Sequence, residues 1–178
     1  MEKSRIFFPM KSRIQYCWEC GARAKTAFVE GRDRKVCSAC GQVLYENPFP
    51  TTAAIIVNDR DEILLVRRAV PPARGEWCLP GGFLELGETP EEGVLRELKE
   101  ETNLEGIVQG LIGLCPSLHG YWGDVLVAGY HVKINGGTMQ PGDDARDVRY
   151  FPLQNRPRLA FDTHQQLLVA YIQSSASE

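Results

Sequence analysis

Four of the six cysteines stand as two pairs, Cys17-x2-Cys20 and Cys37-x2-Cys40, with sixteen residues between the pairs. No other feature restricts the first fifty residues so severely. Each pair leads directly into a glycine, Gly21 or Gly41, as expected of a tight knuckle whose backbone amides point at sulfur. Four soft ligands at this spacing suit the tetrahedral preference of Zn²⁺, at ~2.3 Å from each sulfur. Four thiolates leave no open coordination position, so such an ion is structural. The N-terminus lacks the apolar run of a signal peptide. A reducing cytoplasm and a bound metal therefore explain the cysteines better than disulfides do. Cys78 and Cys115 stand alone in apolar surroundings.

A length of 178 residues gives one domain of ordinary size plus a small module, here a zinc ribbon. Hydrophobic residues at 43% and charged residues at 24% exclude a disordered or collagen-like chain. The longest apolar runs, Ala53–Val57 and Val125–Gly129, are too short to cross a bilayer, so no membrane partner is expected. The net charge of -3 conceals its distribution. Residues 1–50 carry 9 basic and 5 acidic side chains, whereas residues 85–105 carry 8 acids against 2 bases. An acidic patch of that density repels nucleic acid and attracts cations, so nucleic acid is disfavoured as a partner.

Along the chain, residues 1–16 read as a loosely held basic arm, 17–46 as the zinc ribbon, and 46–50 as a linker that breaks regular structure. From Thr51 to about 174 the pattern is that of a larger α+β domain. Thr51–Val57 and Glu62–Arg67 flank a turn at Asn58–Asp61 and read as a hairpin. Further strands are expected near Gly106–Leu114, Val125–Ile134 and Val148–Phe151. A helix is expected to start at Thr89-Pro90-Glu91-Glu92, with Thr89 as N-cap and Glu92 completing a capping box, and to end at Asn103. A last helix starts near Asp162.

On the first helix, Glu97, Glu100 and Glu101 share about a third of the circumference, while Leu95, Leu98 and Thr102 face the other way. Glutamates spaced i, i+4 cost a few tenths of a kcal/mol, and a solvated face would interleave lysines. A hard divalent cation, Mg²⁺ or Mn²⁺, explains the crowding directly. Arg96 can hold one of these carboxylates through a charge-assisted hydrogen bond. Gly81 and Gly82, ahead of the helix, let the backbone approach closely enough to offer a carbonyl ligand.

The run Gly82-x5-Glu88-x7-Arg96-Glu97-Leu98-x-Glu100-Glu101-x-Asn103-Leu104 resembles the Nudix box, in which Asn103 is usually Gly. The preceding Trp77-Cys78-Leu79-Pro80-Gly81-Gly82 is similar to the usual lead-in of that family. The resemblance implies a Nudix α/β/α sandwich and a Mg²⁺- or Mn²⁺-dependent pyrophosphohydrolase acting on a nucleoside diphosphate linked to another moiety. It implies Glu97 and Glu101 as principal metal ligands and Glu100 as a further ligand or a base through water. It also implies Arg96 as orienter, the Gly81 carbonyl as backbone ligand and Glu88 as a supporting member of the loop.

Arg67 and Arg68 stand where they could neutralise phosphates, or could simply be solvated strand-end charges. No glutamate after the box is well placed as a base, which leaves Asp143, Asp144 and Asp147, with Asp144 and Asp147 as the chosen candidates for base or extra ligand. Tyr121 and Trp122 could stack a base or flavin ring, or pack in a core or dimer. A zinc ribbon joined to a Nudix domain resembles enzymes acting on ADP-ribose or FAD and, less closely, NADH pyrophosphatases. The Ser-Gln-Pro-Trp-Pro-Phe-Pro-like motif of the latter is absent after the box. The expected products are AMP and a phosphorylated remainder. Action on NADH or NAD caps, or a non-catalytic ligand sensor, are the alternatives. Family members are often homodimers, and a cytoplasmic homodimer is expected.

Overall fold

The computed structural model describes residues 12–175. Chain contacts divide it into two compact units that meet between Asn47 and Pro48. Residues 1–11 of the expected basic arm lie outside the described residues.

The smaller unit is an antiparallel sheet of β1 (Ala24–Val29), β2 (Arg32–Cys37) and β3 (Val43–Leu44), in the order β1-β2-β3. The stretch ahead of Cys17 is tied to it: Ala24 N–H donates to the Gln15 carbonyl and Arg13 N–H to the Glu46 carboxylate. Its buried hydrophobic residues are Cys17, Cys37 and Leu44, with Ile14, Ala22 and Ala24 packed partly against them. So small a core cannot offset the entropy of ordering the unit by apolar burial alone.

The larger unit contains β4 (Phe49–Ile55), β5 (Glu62–Arg68), β6 (Trp77–Cys78), α1 (Pro90–Thr102), β7 (Leu104–Gly120), β8 (Gly123–Gly137), β9 (Ala145–Pro152) and α2 (Asp162–Ser175). They form two sheets, β4-β8-β7 and β6-β5-β9. Within the first, β4 runs parallel to β8, and β7 and β8 make a long antiparallel hairpin. Side chains of β4 and β5 alternate between two cores. Ala54, Ile56, Leu64 and Val66 pack with Val94 and Leu98 of α1; Ala53, Ile55, Ile63 and Leu65 pack with Leu167 and Leu168 of α2. Helix, strands and helix thus stack as the expected α/β/α layers. No helix among the described residues is long and apolar enough to cross a membrane.

Two local expectations need correction. The segments flanking Asn58–Asp61 do not form a hairpin ladder. A single bridge, Val57↔Ile63, joins them near the turn, and then β4 pairs with β8 while β5 pairs with β6 and β9. Both strands are buried on both faces, so each takes partners from distant parts of the chain rather than from its neighbour. The linker expected through Pro50 is already strand, since β4 begins at Phe49. Pro50 fits because the even-numbered residues of β4 turn their peptide groups away from β8. Thr52 and Ala54 donate to the Gly82 and Pro80 carbonyls, and the Pro50 carbonyl accepts from Leu84, so the missing N–H breaks no bond to β8. The other strands are present but longer than expected.

Candidate active site

Local sequence builds α1 as expected. Thr89 accepts from Glu92 N–H, Glu92 reaches back to Thr89 N–H, and Pro90 opens the first turn. At the far end Asn103 takes the left-handed conformation, with φ of 56°. This fixes the rotation of the helix and turns Arg96, Glu97, Glu100 and Glu101 toward the loop before it.

Arg96 organises that face. Its Nε and Nη2 donate to Glu88 at 3.0 and 2.8 Å, its Nη1 to Glu97 and Glu100 at 2.9 Å each, and its Nη2 also to the Phe83 carbonyl at 2.9 Å. The sequence suggested one carboxylate for this arginine; it holds three. The guanidinium, helped by the Glu85 N–H, pulls the Glu88 carboxyl down to about 2. The same contacts push Arg96 further above its ordinary value. One cation thereby offsets the repulsion of a face that carries no lysine of its own.

The loop that meets α1 lies along β4. The Pro80 and Gly82 carbonyls accept from Ala54 and Thr52, so the peptide between them faces the opposite way, toward α1. There Gly81 N–H donates to Glu101 Oε2 at 3.0 Å. Gly81 has φ of 152°, and a Cβ on it would collide with the Thr52 carbonyl. A Cβ on Gly82 would lie 2.5 Å from the Glu97 carboxylate. At Gly81, where the obstacle is backbone, only glycine permits this approach; at Gly82 a side chain would displace the Glu97 carboxylate.

Glu101 is 5% exposed, and burial, opposed by the Gly81 N–H and aided by the Glu97 charge, pushes its carboxyl up to about 8. Burial also raises Glu97, against the pull of Arg96. A bound cation would stabilise the charged form of such a buried carboxyl. Oxygen donors from Glu97, Glu101 and the Gly81 carbonyl match a hard divalent ion. The carboxylates are not drawn tightly together. Among the described residues, the group of three or more His, Cys, Asp or Glu side chains with ligand atoms within 4.8 Å of one another is the cysteine quartet.

A cavity of about 940 Å³ opens over this face. It brings together Gly81, Arg96, Glu97, Glu100 and Glu101 with Arg68, Tyr121, Trp122, Asp143 and Asp144. Arg67 and Asp147 are not among its lining residues. Successive strand residues face opposite ways, and Arg67 Nε instead donates to the Gly75 carbonyl at 2.8 Å. Asp147 pairs with Arg149 at 2.7 Å. Tyr121 and Trp122 form the tip of the β7–β8 hairpin, between the paired Gly120 and Gly123. Their rings meet edge to face, and Phe83 and Phe49 extend the row, Phe83 standing 5.8 Å from Trp122 and 6.1 Å from Phe49.

Sequence reasoning missed Phe83 and His164. Phe83 sits next to the glycine pair and shares its approach to the helix, a cue present in the sequence. His164 had no such cue. It lines the cavity from the first turn of α2, its Nδ1 accepts from Leu79 N–H at 3.2 Å, and burial, with the Arg68 charge, pushes it down to about 3. It is a neutral ring whose Nδ1 lone pair is already engaged, so it is not a base.

In the smaller unit, Cys17 Sγ lies 3.8 Å from Cys40 Sγ, and Cys20 Sγ lies 3.4 Å from Cys37 Sγ and 3.6 Å from Cys40 Sγ. A tetrahedron of sulfurs ~2.3 Å from a central ion has edges of about 3.8 Å. Gly21 and Gly41 turn both knuckles at φ of 72° and 76°. The N–H groups of Cys40 and Ala39 point at Cys37 and pull its thiol down to about 6. The four sulfurs stand where a single metal ion would be held.

The chain matches the NUDIX domain family over residues 48–170. An ADP-ribose pyrophosphatase of Methanocaldococcus jannaschii is 41% identical over 130 residues, 72% of this chain and 76% of that protein. The NAD-capped RNA hydrolase NudC of Pseudomonas aeruginosa is 31% identical over 82% of this chain; the match spans only 50% of that protein. Among solved structures, a NUDIX hydrolase from Nitrosomonas europaea superposes with a TM-score of 0.79 at 29% identity, covering 92% of this chain and 93% of its own. The NUDIX domain of Shewanella oneidensis NrtR, solved with ADP-ribose, gives 0.65 at 26% identity over 74% of this chain and 90% of its own. The Pseudomonas and Nitrosomonas matches cover more of the chain than residues 48–178 supply, so both extend into the cysteine unit.

Proposed function

The chain belongs to the NUDIX family, and on that premise we propose that it is a divalent-metal-dependent pyrophosphohydrolase of ADP-ribose-type dinucleotides. The observation that carries this reading is the Glu101 carboxyl. It is buried, raised to about 8 and fastened to Gly81 N–H, in a cavity large enough for a dinucleotide. Glu97, Glu101 and the Gly81 carbonyl would hold Mg²⁺ or Mn²⁺, with Glu100 within reach as a further ligand or base. When bound, such cations neutralise diphosphate oxygens and acidify a water for in-line attack on phosphorus.

The remaining roles belong to side chains of this chain. Arg96 holds Glu88, Glu97 and Glu100 in register, so the ligand face keeps its shape when the site empties. Arg68, seated on the Phe161 ring at 5.3 Å, offers positive charge to the phosphates. Trp122 and Tyr121, with Phe83, provide ring faces for a base. Asp144 is the acidic side chain beyond the helix best placed to take a proton. Water adds to one phosphorus, the anhydride P–O bond breaks, and AMP leaves together with a phosphorylated remainder. The cysteine quartet would hold structural Zn²⁺, with residues 17–46 as its ribbon and the catalytic domain following from Pro48.

FAD is a second substrate candidate in this reading, and a cytoplasmic location is expected from the thiolate site. NAD-type substrates are a second reading, favoured by the extension of the Pseudomonas match into the cysteine unit. We also propose a homodimer through β7, an edge strand on which Ile107, Leu111, Leu114 and Leu118 are exposed. The deciding experiment is turnover of ADP-ribose, FAD, NADH and NAD-capped RNA with Mg²⁺ or Mn²⁺, with products identified by mass. AMP plus ribose phosphate from ADP-ribose is the expected result. Failure to split any of them sinks the hydrolase reading, and a preference for the NAD forms selects the second.

A further inference from the structure

At the α2 end of the cavity Thr163, His164 and Arg68 offer donors, and Asp143 and Asp144 line the same cavity. His164 is 8% exposed and Thr163 6%. Leu79 N–H fixes the His164 tautomer by donating to Nδ1. The ring proton therefore sits on Nε2, which has no protein acceptor among the described residues. The Thr163 hydroxyl likewise has none, and both residues line the cavity. The first amides of α2 precede its hydrogen-bond ladder, which starts where Gln165 N–H donates to the Phe161 carbonyl at 3.2 Å. Arg68 completes the wall. Its Nε and Nη2 rest on the Pro72 and Pro71 carbonyls at 2.7 and 3.5 Å, it also donates to the buried Cys78 thiol, and its charge reaches the cavity.

This wall stands beside the carboxylate face. Leu79 and Gly81 stand on either side of a bend at Pro80, and each offers an N–H to a helix. One reaches His164 and the other Glu101. A fixed imidazole N–H, a hydroxyl, helix-terminal amides and a guanidinium supply donors and positive charge. That group of donors suits an acceptor-only anion.

We infer that Thr163, His164 and Arg68, with the N-terminus of α2, form a phosphate subsite for the phosphoryl group of the diphosphate that the Glu97–Glu101 cations do not hold. This rests on the hydrolase reading, and it assigns α2 a substrate-binding role. His164 acts there as a donor through Nε2, its Nδ1 being held by Leu79 N–H, and Thr163 as a second donor.

The test uses inorganic phosphate as probe and the full chain, kept with zinc but without added Mg²⁺ or Mn²⁺. Phosphate is titrated while the His164 ring and the Thr163 and His164 amides are followed by ¹⁵N NMR. Saturable shifts at these three positions are expected. Thr163→Val, which keeps the shape of the side chain, should weaken phosphate binding by about 2- to 10-fold, the worth of one neutral hydrogen bond. With Mg²⁺ and substrate it should raise KM by a similar factor, with a smaller effect on kcat. Unmoved signals at α2, or equal phosphate affinity in Thr163→Val, overturn the subsite. The titration needs no turnover, so it reports on the subsite even if no dinucleotide is hydrolysed.

Discussion

The two candidate metal sites solve opposite problems. In the cysteine unit the ligands already stand at tetrahedral distances. Glycine turns and backbone N–H groups set them there, and hardly any apolar core supports the sheet around them. In the larger unit the core is complete on both faces of β4 and β5, and the carboxylates are held apart on an arginine. An ion held by the first would stand in for a core; one held by the second would enter a scaffold whose core is already complete. A metal site can therefore be read from what its absence would leave behind: an unfolded unit in one case, an uncompensated buried carboxyl in the other.

The contrast breaks most visibly if zinc is lost. Structural zinc contributes on the order of 10 kcal/mol to such units, so Cys37→Ser should abolish protection of the β1–β3 amides in hydrogen exchange. The amides of β4, β5 and β8 should stay protected. If β1–β3 survives, its core is not as dependent on metal as proposed. Next in size, Glu101→Gln should lower turnover by about 100-fold or more, the scale of losing a charge-stabilising group, while the Mg²⁺-free protein melts no lower than the parent.

The same carboxyl gives a pH signature. Its folded value of about 8 lies above its ordinary 4.5, so the native state binds the extra proton between these limits. The resulting stability of the metal-free protein is complete below the unfolded value and is lost as pH rises through about 8. Denaturant melts at pH 6 and pH 9 should show this loss, and Glu101→Gln should remove that part of it. Glu88 acts in the opposite sense, since its contribution is lost only as pH falls toward about 2. The smallest effect belongs to Arg96→Lys. A lysine cannot reproduce the fork that spans Glu88, Glu97 and Glu100, and a 10- to 100-fold loss in Mg²⁺ affinity or activity is expected, on the order seen for supporting partners of metal ligands. An Arg96→Lys protein with normal Mg²⁺ dependence would show that the face does not need its arginine.

What was legible in the sequence was local. The capping box at Thr89, the left-handed Asn103 and the two glycine-led cysteine knuckles each depend on residues within a few positions of one another, and each appears in the structure. The spacing of the three glutamates also placed them correctly on one face. What escaped was decided by distant partners. β4 and β5 are neighbours in sequence, yet their partners are β8 and β9, and nothing near Asn58 announces this. Arg67 and Arg68 looked interchangeable until the pleat sent one to Gly75 and the other to the cavity. His164 reaches Leu79 across 85 positions of chain, beyond any local pattern.

The segment from Leu79 to Gly82 works as a ruler with a two-residue tick. On one edge it is read by β4, and on the other by α2 at Leu79 and α1 at Gly81. An inserted or deleted residue between those two would turn one of the N–H groups toward β4 and uncouple one helix from the other. A change of two would keep both facings and only alter the distance between them. The contacts that α2 and α1 make with this segment are thus set by a count of residues.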